Sequence, residues 1–233
     1  QYPTTLFNAM VHPITKIPIR GVIWYQGEAN VGRADEYADL FMSLISDWRD
    51  KWKQPDMPFY FVQLANFLKK EEIQPDSEWA ALREAQSKAL YLNNTGMAVT
   101  TDLGEANNIH PKNKQEVGLR LSQLALKQTY KKKRMPQSPL FKSYRIEGNT
   151  IRIGFDNPGK GFMKSDTIKG FIIAGADHIF YPATVTIQKK EIIVESPDVP
   201  HPVAVRYNWA DNPDGNLYGL SGLPTAPFRT DNW

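Results

Sequence analysis

The first segment with polar residues suited to chemistry follows an apolar run that reads as a buried strand. It spans residues 24–30 and contains Gln26, directly followed by Gly27 and Glu28. An amide side chain at the end of a strand can point N–H donors at a developing oxyanion, and the glycine lets a substrate approach the backbone. Alternatively, Gln26 caps the sheet edge and Glu28 begins the next helix, where an acid is favoured. Spacing alone leaves both interpretations open.

The second such segment, residues 102–111, contains His110. This histidine lies in a polar loop between a predicted strand and a helix predicted to begin at Pro111, which needs no donor in a first turn. An imidazole held in such a loop is placed to act as a general base. A lone loop histidine is more often structural, so that alternative also stays open. Ordinary surface or packing roles are predicted for His12, His178 and His201.

The elements that must position these residues alternate along residues 20–130. Short apolar runs and longer amphipathic runs follow one another, which is typical of an α/β sheet with crossover helices. Strands are predicted at 21–25, 58–64 and 97–101, and helices at 34–52, 79–92 and 111–130. Ligand sites of parallel sheets lie beyond the carboxyl ends of the strands. We therefore predict that Gln26 and His110 face one common cleft.

After the breaker region 131–139 the runs become short, rich in β-branched and aromatic residues, and bounded by turn residues. This pattern predicts an all-β region. Strands are predicted at 141–146, 150–155, 168–174, 183–187, 191–196 and 203–209, with a hairpin turn at 147–149 and irregular packing over 210–233. The predicted domains are residues 1–135 and 136–233.

Composition narrows the class of protein. The 233 residues are 41% hydrophobic and 12% aromatic, which indicates a globular protein, and the net charge of +3 does not call for a nucleic-acid partner. The basic cluster 131–134 is interpreted as favourable charge at a helix C-terminus. The absence of cysteine excludes thiolate chemistry and cysteine-bound zinc, and no histidine pair has ligand spacing, so neither a metal nor a cofactor is predicted. No apolar run approaches the about 20 residues that span a bilayer, so no membrane partner is predicted.

Several runs resemble blocks of the sialate O-acetylesterase family. Residues 21–30, which include Trp24-Tyr25-Gln26-Gly27-Glu28-Ala29-Asn30, are similar to one block, and residues 109–114 with Gly118 and Arg120 are similar to its catalytic-histidine block. Further similarity lies at 59–67, 79–89, 209–213 and 227–230, in the expected order. The resemblance implies a serine esterase of the SGNH-hydrolase type that removes O-acetyl groups from sialic acids. It also implies a partial SGNH-like, flavodoxin-like parallel sheet with flanking helices, followed by the all-β region.

The resemblance also implies roles for individual residues. His110 matches the base that deprotonates the serine and later protonates the departing sugar hydroxyl, and Gln26 matches the side chain that assists the oxyanion hole. Gly27 keeps the approach open. Supporting or substrate-contacting positions are Glu28, Asn30 and Asn108.

The acid that should orient the histidine departs from the family pattern. The family commonly has aspartate two residues before the histidine, where this chain has Asn108. An amide can hold the geometry of an imidazole but does not stabilise an imidazolium by charge. We therefore expect Asp102 or Glu105 to substitute, with Asp102 ranked first, unless the activity is weak.

The nucleophile is a second departure. The family block Gly-Gln-Ser-Asn does not occur, and none of the ten serines is predicted at a strand-to-helix elbow. Residues 1–5 do not resemble a signal peptide and contain no methionine. The chain is therefore expected to be a fragment whose partner is the missing N-terminal part of the same protein, which would supply the serine.

Three functions remain open at this stage. The first is hydrolysis of O-acetylated sialic acid in the periplasm or outside the cell, the locations that the resemblance implies. A second is a non-catalytic carbohydrate-binding or accessory module. A third is an esterase acting on acetylated plant polysaccharide, because acetyl esters of all these sugars present the same carbonyl.

Overall fold

The computed structural model describes residues 4–233, so the first three residues of the N-terminal stretch discussed above lie outside it. Its first part is a parallel sheet of three strands in the order β1, β2, β3. The strands are β1 (Val22–Trp24), β2 (Phe59–Val62) and β3 (Thr95–Ala98), and the helices are α1 (Ala34–Trp52), α2 (Glu78–Ser87) and α3 (Lys114–Gln128). Short helical turns lie at Phe7–Val11, His12–Ile14, Glu28–Asn30 and Lys88–Tyr91. The predicted α/β architecture is confirmed.

Strand β2 is buried on both faces because helices cover both sides of the sheet. Phe59 and Phe61 belong to the core formed with α1 and α2. Tyr60 and Val62 point the other way, into the core formed with α3. Burial on both faces explains why this strand reads as a continuous apolar run. Strand β1 is different: it is an edge strand of the described sheet, and Ile23 is 68% exposed.

The start of α3 differs from the sequence prediction. The helix begins at Lys114 rather than at Pro111. Asn113 is its cap, and the side-chain oxygen of this residue accepts a hydrogen bond from the backbone N–H of Glu116 at 3.2 Å. A side-chain acceptor satisfies a free donor of the first turn, which proline cannot do, so the cap decides where the helix starts.

The second part contains two antiparallel sheets of four strands each, which confirms the predicted all-β region. Their orders are β4-β5-β9-β8 and β11-β10-β6-β7. The strands are β4 (Leu140–Glu147), β5 (Thr150–Asp156), β6 (Phe171–Ala174), β7 (Phe180–Pro182), β8 (Thr184–Gln188), β9 (Glu191–Glu195), β10 (Ala204–Tyr207) and β11 (Phe228–Arg229). Apolar side chains of both sheets, among them Ile153, Val194 and Phe171, form one core.

The segment after β10 packs back onto the α/β part. Arg83 of α2 is fully buried, and it donates hydrogen bonds to the carbonyl oxygens of Leu64 and Ala65 as well as to those of Ala210 and Asp211. Burial lowers the pKa of this arginine to about 9, against the opposing charge of Asp211. These hydrogen bonds join the first predicted domain to the second. The domain boundary between residues 135 and 136 therefore stays a prediction. None of the helices in residues 4–233 combines the length and the hydropathy that a transmembrane span requires.

Candidate active site

Gln26 and His110 line one cleft of about 370 Å³. Gln26 lies two residues beyond the end of β1, and His110 lies in the loop between β3 and α3. Both positions follow carboxyl ends of parallel strands, which meet at the same edge of the sheet. The remaining lining residues are Tyr25, Glu28, Ala29, Ile109 and Lys114. The structure thus brings together the two side chains that the sequence singled out.

The carboxamide of Gln26 is held at both ends. Its oxygen accepts a hydrogen bond from the Tyr37 hydroxyl at 3.1 Å, and its nitrogen donates to the side-chain oxygen of Asn30 at 2.7 Å. A carboxamide nitrogen carries two N–H groups, so one remains for a ligand in the cleft. Asn30 thus contacts Gln26 directly, and its supporting role in catalysis stays a prediction. Tyr37 was missed in the sequence, where it read only as part of the apolar stripe of α1.

Gly27 lies against a buried glutamine. A Cβ at this position would lie 3.1 Å from Nε2 of Gln86 and 3.2 Å from Cδ2 of Leu64, which is closer than side chains normally pack. Nε2 of Gln86 in turn donates to the carbonyl oxygen of Gln26 at 3.2 Å, and Gln86 is only 1% exposed. Gly27 is thus needed for packing inside the protein, and Gln86 holds the backbone of Gln26.

His110 is exposed, and Asn108 contacts its backbone rather than its ring. The side-chain oxygen of Asn108 accepts a hydrogen bond from the backbone N–H of His110 at 3.0 Å. No side chain among residues 4–233 is hydrogen-bonded to the imidazole. Glu105 is engaged elsewhere: it accepts from the backbone N–H of Lys112 at 3.1 Å and pairs with the ammonium of that lysine. These contacts lower the pKa of Glu105, the backbone hydrogen bond most.

Asp102 is directed at Arg120 and not at His110. The two carboxylate oxygens accept hydrogen bonds from Nη1 and Nη2 of Arg120 at 2.6 and 2.8 Å, and the Tyr218 hydroxyl adds a third at 3.2 Å. Arg120 is only 5% exposed, and a buried guanidinium needs a paired carboxylate. Burial alone would lower the pKa of Arg120, but Asp102 and Glu116 outweigh it and raise the value. The prediction that Asp102 orients His110 therefore has no contact to support it.

One cation and one carboxylate face the cleft. The Lys114 ammonium lies 4.6 Å from the ring centroid of Tyr25, within cation–π range. Burial, with the charge of Glu28, raises the pKa of Tyr25 to about 12, so this ring is neutral at physiological pH. Neither Lys114 nor Glu28 has an ion-pair partner in the described part of the chain. No serine lines the cleft. Residues 4–233 also contain no cluster of three or more potential metal ligands.

The loop that carries His110 is anchored from the C-terminal region. The backbone N–H of Gly104 donates to the side-chain oxygen of Asn66 at 2.6 Å. The amide nitrogen of Asn66 donates to the side-chain oxygen of Asn212 at 2.7 Å. Asn212 therefore holds the asparagine against which the loop rests, although the two residues are far apart in sequence.

We expect Gly104→Ala to lower the free energy of unfolding by about 3 kcal/mol, because overpacking at a backbone contact forces the loop to move. The added Cβ would lie 1.8 Å from the carbonyl oxygen of Asn66, a distance that no rotamer change relieves. Urea unfolding measures the loss. Gly118→Ala in α3 is the control: nothing lies within 4 Å of its Cβ position, so alanine should stabilise the helix by up to about 1 kcal/mol. Equal effects of the two substitutions would contradict this packing.

Comparison with known proteins gives a consistent result. The sequence profile described as "Carbohydrate esterase, sialic acid-specific acetylesterase" matches residues 1–127. Mouse sialate O-acetylesterase is 30% identical over 97% of this chain and 47% of its own length, and the human protein is 29% identical over 97% and 48%. The chain thus spans about half the length of these relatives. A crystal structure of a carbohydrate acetylesterase from Xanthomonas citri superposes with a TM-score of 0.95 at 44% identity, over 100% of this chain and 55% of that one.

The fold and the matches together place this chain in the class of the carbohydrate esterase families. Within that class, the profile match covers more than half of the chain. The chain belongs to the sialic acid-specific acetylesterase family of carbohydrate esterases.

Proposed function

We propose that this chain takes part in the hydrolysis of O-acetyl esters on sugars, O-acetylated sialic acid first among them. The observation that carries the proposal is the geometry of one cleft, in which a histidine lies beside a carboxamide pinned at both ends. His110 is the general base and Gln26 the oxyanion donor. Because one N–H of Gln26 is free and the amide is held in place, it can bind developing charge without first reorienting.

The proposed reaction proceeds through an acetyl-enzyme. The serine oxygen attacks the carbonyl carbon of the ester while His110 takes the proton of the serine hydroxyl. The oxyanion of the tetrahedral intermediate then accepts a hydrogen bond from the free N–H of Gln26. Collapse of this intermediate breaks the bond to the sugar oxygen, which takes the proton from His110. Water then repeats the attack with His110 as base and releases acetate and the free serine.

The serine is proposed to come from the N-terminal part of the same protein, outside this sequence. The supporting feature is the edge position of β1 in the sheet that residues 4–233 form, because this strand ends two residues before Gln26. A parallel strand added at that edge would have its carboxyl end beside the cleft, so a serine directly after it would face His110. Ile23 on β1 is exposed, and so are Leu6, Met10 and Ile17 in the segment that precedes this strand, so apolar surface is available to such a segment.

Acetate release tests the proposal. The chain alone should hydrolyse p-nitrophenyl acetate no faster than buffer. The complete polypeptide, which joins this chain to the proposed N-terminal part, should deacetylate O-acetylated sialic acid. Hydrolysis by the chain alone that is lost in His110→Ala would place the nucleophile within this sequence. Preference for acetylated xylan would favour the plant-polysaccharide esterase. Sugar binding without any hydrolysis would favour an accessory module.

Cell fractionation tests the proposed periplasmic or secreted location.

We expect Tyr37→Phe to lower turnover of the complete polypeptide about threefold to tenfold with little change in KM. One neutral hydrogen bond contributes about 0.5–1.5 kcal/mol. Its loss leaves the Gln26 amide held only by Asn30, so the amide is less well oriented toward the transition state. Steady-state kinetics on a soluble acetyl ester measure the change. Tyr91→Phe is the matched control, since that ring is 87% exposed. A rise in KM alone would mean that Tyr37 shapes binding instead of positioning the amide.

A further inference from the structure

A second, larger cleft lies away from Gln26 and His110. Its volume is about 710 Å³, and it forms where the C-terminal end of α3 meets the segment 133–137, the loop 157–160 after β5 and residues 220–221. Four cationic side chains line it, and no carboxylate does. They are Lys127, Lys133, Arg134 and Lys160. Two of them, Lys133 and Arg134, belong to the basic cluster 131–134, which the sequence predicted to lie at the end of a helix.

The four charges are not neutralised inside the protein. The ammonium of Lys127 donates to the backbone carbonyl of Lys133 at 3.3 Å, and none of the four forms an ion pair within residues 4–233. Asp156, the acidic residue that precedes the loop 157–160, pairs instead with Lys142 at 3.0 Å. Like charges in one concave site repel each other and focus a positive potential, so the cleft favours an anion with more than one charge.

The uncharged lining narrows the class of anion. Gln137, Asn157 and Ser221 line the cleft, and none of their side chains has a hydrogen-bond partner among the described residues. Met135 and Leu220 add small apolar surfaces. Free hydrogen-bonding groups next to apolar patches suit a sugar ring with its hydroxyls and C–H faces. No aromatic ring lines this cleft, so nucleic-acid bases would have no surface on which to stack.

We infer that this cleft binds the carboxylate groups of an acidic oligosaccharide, apart from the cleft that holds Gln26 and His110. Lysine and arginine pair with the carboxylates, and the neutral side chains contact the hydroxyls of the intervening rings. Such a site would hold a charged glycan chain while an acetyl group elsewhere on that chain reacts. Binding here requires no esterase activity, so its test stands apart from that of the proposed function.

Isothermal titration calorimetry of the chain with hexagalacturonate provides the test, with cellohexaose as the neutral ligand of equal length. We expect the acid to bind, with affinity that falls at higher NaCl, and the neutral sugar not to bind. Lys133→Gln/Lys160→Gln should weaken binding about tenfold, since the loss of one ion pair at an exposed site lowers affinity about threefold. Lys16→Gln/Lys88→Gln removes the same charge from two exposed lysines outside the cleft and should leave the affinity unchanged.

Three results would overturn the inference. These are equal binding of cellohexaose, equal loss of affinity in the two double variants, and tighter binding of a single-stranded DNA oligonucleotide than of the glycan. Circular dichroism checks that the variants are folded. Should the double variant fail to fold, Arg134→Gln decides the matter, because it removes one exposed guanidinium and should by itself weaken binding about threefold. An unchanged affinity in a folded Arg134→Gln variant would then count against the site.

Discussion

Arg83→Met is expected to lower the free energy of unfolding by about 3–5 kcal/mol, the range for removing one partner of a buried polar network. The guanidinium of Arg83 is fully buried, and Nε, Nη1 and Nη2 donate to four backbone carbonyls at 2.7–2.9 Å. Methionine fills part of the same volume but leaves the carbonyls of Leu64 and Ala210 without their donor. The carbonyl oxygens of Ala65 and Asp211 keep the hydrogen bonds that they accept from the Trp79 indole N–H and the Phe67 backbone N–H. Arg83→Lys should recover little, because one ammonium does not reproduce the planar fork that spans both pairs of carbonyls.

Urea unfolding followed by tryptophan fluorescence measures this loss. Two of the four carbonyls, those of Ala210 and Asp211, belong to the C-terminal segment, so the variant should also loosen that segment from α2. Limited proteolysis near residue 210 would report it. Arg145→Met is the control: its guanidinium is mostly exposed, and the unfolding midpoint should hardly move. A midpoint for Arg83→Met equal to that of the control would refute this role.

The elements that sequence patterns located well are those whose stability is local. Helix α1 spans the predicted residues 34–52, because its apolar stripe and its polar face both have a period of 3.6 residues. Strands β7 and β11 were missed. They are three and two residues long, and their pairing with β6 and β10 comes from the packing of the sheet rather than from their own sequence.

The same distinction applies to the site. Gln26 and His110 were singled out because each lies in a polar segment that follows a strand pattern and in a run that resembles a block of the family. Tyr37 and Gln86 were not, since their contacts with Gln26 join residues 11 and 60 positions apart, and only the packing of the helices brings them there. For Asp102 the sequence suggested the wrong contact. Proximity in sequence favoured His110 as its partner, but the carboxylate pairs with Arg120, 18 positions away. A buried guanidinium without a carboxylate would be strongly destabilising.

His110→Ala in the complete polypeptide is expected to lower turnover on an O-acetylated sugar about 10,000-fold or more without changing the unfolding midpoint. Removal of the base from a nucleophile–base unit abolishes nearly all of the chemical acceleration. The imidazole is exposed and has no hydrogen bond to a described residue, so its loss costs little stability. A turnover within tenfold of the unchanged protein would exclude His110 as the base.

Two conservative substitutions then separate the acids that could serve this histidine. Asn108→Asp keeps the acceptor for the His110 backbone N–H and adds a negative charge two residues before His110, whose imidazole no described carboxylate contacts. It should therefore raise turnover, because a carboxylate stabilises the imidazolium formed in the transition state. Asp102→Asn should instead lower the unfolding midpoint, since buried Arg120 loses its charged partner, while turnover measured well below that midpoint stays within severalfold. If Asp102→Asn abolishes turnover in a protein that remains folded, and Asn108→Asp gives no gain, the carboxylate of Asp102 must reach His110 during catalysis.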